Sequence, residues 1–219
     1  VASARNLGAE NAIDGGAELL VFLDVDCIPG PHLLDRYLRT AQNPVHGGAL
    51  LNGPVTYLRP PGSGGYDVER LSASTNPHPA RPMPPDGDVA ASSDYHLFWS
   101  LSFAVTTSVW KRIGGFCTRY EGYGGEDTDF GQKALAAAVP MRWVGGAHAF
   151  HQHHPVSDPP VEHLIDIVLN ARTFHERWGW WPMQGWLDAF EAQGLIRRHR
   201  DGTPSVLRDI GGATPRSSP

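Results

Sequence analysis

Leu19 to Leu23 is an unbroken apolar run that stops at two aspartates one residue apart, Asp24 and Asp26. A run this short and this uniformly apolar predicts a strand covered on both faces, of the kind found in parallel sheets. The carboxyl end of such a strand is where open α/β sheets place their ligands. Asp-x-Asp also suits a hard divalent cation, because Mg²⁺ and Mn²⁺ favour oxygen donors. Taken alone, the pair reads equally as a strand end carrying solvated acids.

The flanking sequence alternates helices and strands. Ala2 to Asp14 predicts a helix with Leu7, Ala9, Ala12 and Ile13 on its apolar face, stopped by Gly15-Gly16. Pro31 opens a second helix from His32 to Gln42, with Leu33, Leu34, Tyr37 and Leu38 inward. Ala49 to Leu58 gives short strands broken at Gly53-Pro54, and Phe98 to Thr107 another. Ser108 caps a short helix that Gly114-Gly115 ends. A further helix is expected from Thr128 to Ala138, a strand from Met141 to Val144, and helices over 161–178 and 183–193. Between them, residues 59–94 are crowded with proline and glycine and read as a surface excursion over the site or as an insertion without a role.

These elements divide the chain into a catalytic part over 1–160, a C-terminal helical extension over 161–210 and a flexible tail over 211–219. At 219 residues and 41% hydrophobic content the chain can bury a real core. Its net charge of −5 argues against general nucleic-acid binding, and no apolar run is long enough for a transmembrane segment. Cys27 and Cys117 read as free thiols in a reducing compartment, hence a cytoplasmic protein. The chain begins with Val1 and enters a helical pattern at once, as a piece lacking its beginning would.

Two further motifs carry chemistry. In Gly122-Tyr-Gly-Gly-Glu-Asp-Thr-Asp129 the glycines permit tight turning and close approach to a ligand. Glu126, Asp127 and Asp129 then fall in the first turn of a helix, where acids favour the dipole and serve as caps. Beside a metal motif, an acid there is also a candidate general base. The loop after Val144 holds His148, His151, His153 and His154. Imidazoles combined with carboxylates lean toward Mn²⁺ or a tolerant Mg²⁺/Mn²⁺ position. Zinc-hydrolase spacing is missing.

The ordered set Ala4-Arg5-Asn6-x-Gly8, Phe22-Leu-Asp24-Val-Asp26-x-Ile28-Pro29, Gly114-Gly115-Phe116, Gly122-Tyr-Gly-Gly-Glu126-Asp127-x-Asp129-Phe130 and the histidine loop resembles nucleotide-sugar glycosyltransferases of the GT-A fold. The likeness is to family 2 enzymes and to the carboxyl-terminal domain of β-1,4-galactosyltransferases, over roughly residues 4–155. It implies an α/β fold with a mixed, mostly parallel sheet flanked by helices, the N-terminal nucleotide-binding strands being absent from this chain. It further implies an inverting, Mn²⁺- or Mg²⁺-dependent transfer from a nucleotide-diphosphate donor, a UDP-sugar foremost, to a carbohydrate or other hydroxyl acceptor.

By the same resemblance, Asp26 is a metal ligand, joined by His148 or His151 according to which relatives set the spacing. Arg5, Asp24 and Asp26 match donor-binding positions, and Asp127 matches the catalytic base. Tyr123, Gly125, Glu126 and Asp129 match the acceptor side. Ser100 and Leu101 stand where galactosyltransferases have a glycine pair, which weakens any assignment of galactose. Competing readings are a catalytically inactive sugar- or nucleotide-binding domain and a divalent-metal hydrolase.

Overall fold

The computed structural model describes residues 1–207 and falls into two compact units. The larger comprises Ala2–Phe116 and Asp127–His154; the smaller comprises Val1, Cys117–Glu126 and the chain from Pro155. The tail expected over 211–219 lies outside the described residues.

In the larger unit the chain runs α1 (Ala2–Asp14), β1 (Leu19–Leu23), β2 (Cys27–Pro29), α2 (Leu33–Gln42), β3 (Leu50–Asn52) and β4 (Val55–Tyr57). It continues through β5 (Val89–Ser92), β6 (Ser102–Thr106), α3 (Thr107–Ile113), α4 (Glu126–Ala136, its first residue in the smaller unit), β7 (Met141–Val144) and β8 (Ala149–His151). A five-stranded sheet has the order β1-β6-β3-β7-β5, and a three-stranded sheet the order β2-β8-β4.

Residue parity splits the larger sheet into two packed faces, since successive strand side chains point opposite ways. Leu20, Leu50, Phe103, Val105 and Met141 pack with Trp110 of α3, Phe130 of α4 and the alanines of α1. Leu51, Ala104 and Val144 pack with Leu33 and Tyr37 of α2. The result is an α/β fold with a mixed sheet between helices, as expected. Burying an aromatic such as Phe103 contributes about 2–3 kcal/mol, and its ring is fully enclosed and stacks on Phe22 at 4.4 Å.

The balance of strand directions differs from expectation. Only β3–β7 and β4–β8 are parallel, and the other pairings in both sheets are antiparallel. β1 is apolar throughout because helices cover both its faces, yet it is an edge strand in which only Leu20 is fully buried. Smaller corrections follow the same logic of local packing. α1 seats only Ala2 and Ala9 deeply and leaves Leu7 exposed, while Leu34 and Leu38 of α2 face outward. Thr106, rather than Ser108, caps α3, its hydroxyl accepting the Val109 N–H.

The excursion is not loose. Its far end is β5, an edge strand paired to β7. Pro77 bridges Thr56, and Arg36 donates two hydrogen bonds to Asp86 at 2.8 and 2.7 Å. Gly145 and Gly146 admit this docking: a side chain on either would strike the Pro85 carbonyl or the Asp86 carboxylate.

The smaller unit holds α5 (Leu164–Trp178), α6 (Gln184–Ala192) and a hairpin of β9 (Ile196–Arg198) with β10 (Pro204–Val206). Residues 161–207 are thus helical up to a hairpin that follows α6. Leu164, Ile167, Val168 and Ala171 of α5 meet Leu187 and Phe190 of α6 and Ile196 of β9. Ile165 and Leu169 lie on the exposed side of α5.

Candidate active site

β1 ends at Leu23, and a turn closed by Cys27 N–H to Asp24 C=O reverses the chain into β2. β2 pairs antiparallel with β8, Cys27 opposite His151, and Gln152 N–H extends the ladder to the Asp26 carbonyl. That register brings the Asp26 carboxylate to the end of the histidine strand. His151 Nε2 lies 3.3 Å and His154 Nε2 3.6 Å from Asp26 Oδ2, and one ligand atom from each of the three lies within 4.8 Å of the others. Donors about 2.1 Å from a shared ion stand no more than about 4.2 Å apart, so a small side-chain adjustment closes this set. One carboxylate and two imidazoles with positions left open suit Mn²⁺ and other borderline cations.

Of the two histidines in contention, His151 joins the cluster and His148 does not. They stand three positions apart along an extended chain, so their side chains take opposite faces. His148 Nε2 sits 2.8 Å from Thr56 Oγ1, which also accepts the Asn76 N–H, and its ring packs on Phe150. Burial pushes the His148 pKa down to about 4, keeping it neutral. The third member, His154, was missed. Its only signal is the doubled histidine at 153–154, and only the chain's course beyond β8 tells which of the two turns back to Asp26.

Asp24 is held differently. Arg5, on α1, donates to its Oδ1 at 2.5 Å and lies over the Phe116 ring at 5.1 Å. The next residue, Asn6, exchanges two hydrogen bonds with the Phe116 backbone, Nδ2 to the carbonyl at 2.9 Å and Oδ1 from the N–H at 2.8 Å. Gly115 has φ +66°, and a Cβ there would approach Asn6 Oδ1 to 2.9 Å. This explains the pairing of Arg-Asn with Gly-Gly-Phe: one side chain locks the glycine turn while its neighbour meets the acid at the strand end.

Asp127 follows the first residue of α4, where it accepts the Thr128 N–H at 2.7 Å. It keeps partial contact with solvent. Loss of hydration nonetheless raises its pKa above the ordinary aspartate value, partly offset by the Thr128 N–H and by the charge of Arg5. A carboxylate so destabilised in its ionised form has an incentive to take a proton.

The acceptor-side residues divide. Asp129 is fully buried, and Gly125 is buried beside the Tyr120 ring. Glu126 opens α4 and is partly exposed. Within the smaller unit Tyr123 is 41% exposed and stacks on His163, ring centroids 4.3 Å apart, with Trp186 at 5.8 Å. Its loop is held by Asn170, whose Nδ2 donates to the Glu121 and Tyr123 carbonyls at 2.7 and 3.1 Å. Asn170 was also missed, though a polar residue on the buried stripe Ile167, Ala171, Phe174 was a visible sign of such a task.

Both cysteines are free. Shallow hollows lie around Met83 and Val89 and around Arg39 and Asn43, and neither includes the Asp26 cluster. Among the described residues no helix is long and apolar enough to cross a membrane.

Residues 88–155 match the family model described as the N-terminal domain of galactosyltransferase. Two curated relatives, validoxylamine A glucosyltransferases of Streptomyces hygroscopicus subsp. jinggangensis (strain 5008) and subsp. limoneus, are each 29% identical over 207 residues. Each alignment covers 80% of this chain, and 44% and 41% of the relatives, so the chain spans less than half their length. Among solved structures, the crystal structure of GalNAc-T7 with UDP, GalNAc and Mn²⁺ aligns with 89% of this chain and 44% of its own at 11% identity. Its TM-score of 0.45 is too low to establish a common fold.

Proposed function

This chain is a relative of glycosyltransferases, and on that premise we propose that it carries the catalytic part of an inverting, metal-dependent enzyme moving a sugar from a nucleotide-diphosphate donor to an acceptor hydroxyl. The observation that carries the reading is the convergence of Asp26 with His151 and His154 at the end of the strand pair that follows Asp24. Asp26, His151 and His154 would hold Mn²⁺ or Mg²⁺, which when bound neutralises charge on the departing diphosphate.

The remaining work falls to the chain's own groups. Arg5 fixes Asp24 toward the donor and contributes positive charge beside it. Asp127 takes the proton from the acceptor hydroxyl. The freed oxygen pair bonds to the anomeric carbon from the side opposite the leaving group. The anomeric C–O bond breaks, and its electrons leave with the diphosphate oxygen. Tyr123, exposed in the smaller unit, offers an aromatic ring suited to stacking on a sugar.

Asp127→Asn is expected to lower transfer by about 10²- to 10⁴-fold, the usual share of a general base, with donor affinity nearly unchanged. Loss of donor affinity with turnover preserved contradicts the assignment. Because the carboxyl pKa is raised, wild-type turnover should fall on acidification at a higher pH than an ordinary aspartate would give. A divalent-metal hydrolase is the second reading, favoured by the same one-carboxylate, two-imidazole donor set. Sugar release without any nucleotide donor would move it to the front.

A further inference from the structure

The proline-rich excursion carries a cation that the site described above does not use. Arg81 is only 4% exposed, although it lies in irregular chain between the Pro77 bridge and the Arg36–Asp86 clamp. Its guanidinium lies over two indole rings, 5.1 Å from the Trp99 centroid and 4.7 Å from that of Trp143. Among the described residues, none of Nε, Nη1 and Nη2 has a hydrogen-bond partner.

Such a group is costly. Enclosing an unpaired charge carries a penalty of several kcal/mol even after relaxation, whereas a cation over an aromatic face recovers about 0.5–2 kcal/mol. A further buried donor accompanies it. Trp143 Nε1 is also buried without a partner, and the matching oxygen is Asn52 Oδ1, on the adjacent parallel strand directly opposite Trp143. Five guanidinium N–H groups and one indole N–H are thus buried without partners, against one unused amide oxygen on the strand beside Trp143. The ionisable groups acting on Arg81 are Tyr57, Tyr37, Asp127 and Cys27. Asp127 is the one carboxylate among them.

We propose that Arg81, with the Trp143 indole N–H beside it, forms a receptor for a phosphate-type oxyanion. The planar fork of a guanidinium matches two phosphate oxygens at once, and a third oxygen remains for the indole N–H. A carboxylate has too few oxygens for this surplus of donors. Since Arg81 is sealed, the arc that carries it must yield on entry, and at least one indole face then loses its cation. The oxyanion has two possible sources, inorganic phosphate or pyrophosphate and the diphosphate of a nucleotide. The site itself does not depend on the nucleotide-sugar reading; only the second source does.

The test is titration of the intact protein in EDTA, followed by tryptophan fluorescence and calorimetry, first with inorganic pyrophosphate and then with UDP. Wild type is expected to bind pyrophosphate with a change in indole emission. Arg81→Met should weaken binding at least about 10-fold while its unfolding midpoint stays level or rises, as removal of an unpaired buried charge allows. Arg81→Lys should fall between, an ammonium being a point charge without the fork. Failure of the wild type to bind pyrophosphate, or undiminished binding in a folded Arg81→Met or Arg81→Lys protein, overturns the receptor. Should Arg81→Met not fold, Arg81→Lys decides alone. Pyrophosphate binding that depends on Arg81 without any binding of UDP upholds the receptor and removes the nucleotide as its source.

Discussion

His148 and His151 stand three residues apart on one short stretch of extended chain and do opposite things. The face bearing His151 meets Asp26 and His154, with the Tyr57 ring alongside at 5.0 Å. The face bearing His148 is closed: its ring is bonded to Thr56, packed on Phe150 and held neutral by burial. Identical chemistry therefore joins the Asp26 cluster or serves as a strut according to parity alone. The lesson extends to sequence motifs generally, because a spacing measured in residues specifies a face only once the strand and its register are known.

The sharpest way to break this contrast is to remove ligands on the open face. Asp26→Asn or His151→Ala is expected to weaken Mn²⁺ binding by more than about 100-fold, since even residues that merely support a ligand cost 10- to 100-fold; Mn²⁺ titration by calorimetry measures it. His154→Ala, whose side chain is half exposed, should lose less, on the order of 10-fold. A result in which His148→Gln costs more than either would invert the assignment.

On the closed face the expected effects concern stability. His148→Gln should leave Mn²⁺ affinity within about 3-fold of wild type and cost roughly 1 kcal/mol, the net worth of one hydrogen bond, read from urea unfolding at neutral pH. The pH dependence sharpens the point. Folded His148 takes its proton near pH 4, against an ordinary value of 6.5. Between those limits the unfolded chain binds more protons, so stability falls as pH drops from 6.5 toward 4. His148→Gln should flatten that slope.

Much of the architecture was legible because local rules suffice for it. The apolar run before Asp24, the break at Gly53-Pro54 and the αL glycine closing α3 each follow from periodicity or backbone freedom, and the structure realises all three. The same signals could not give strand direction. A strand covered on both faces is apolar whether its neighbours run with it or against it, and here they mostly run against it. In the site, the Asp-x-Asp motif could be read ahead of the fold, whereas the lock of Asn6 on the Phe116 backbone could not. His154, Asn170 and Arg81 could not, since each acquires its role from residues distant in the chain.

The order of residues by itself determined the elements, the acids at the strand end and the reservoir of histidines, because these depend on covalent neighbours and on how apolar side chains repeat. Tertiary structure decided which histidines turn to Asp26, which acids are sealed away, and that a loop arginine is buried between two indoles with its donors unspent. Those outcomes depend on solvation and on contacts between segments up to a hundred residues apart or more, such as Asn6 with Phe116 and Asp26 with His151. Solvation of that kind is fixed only when the chain closes on itself.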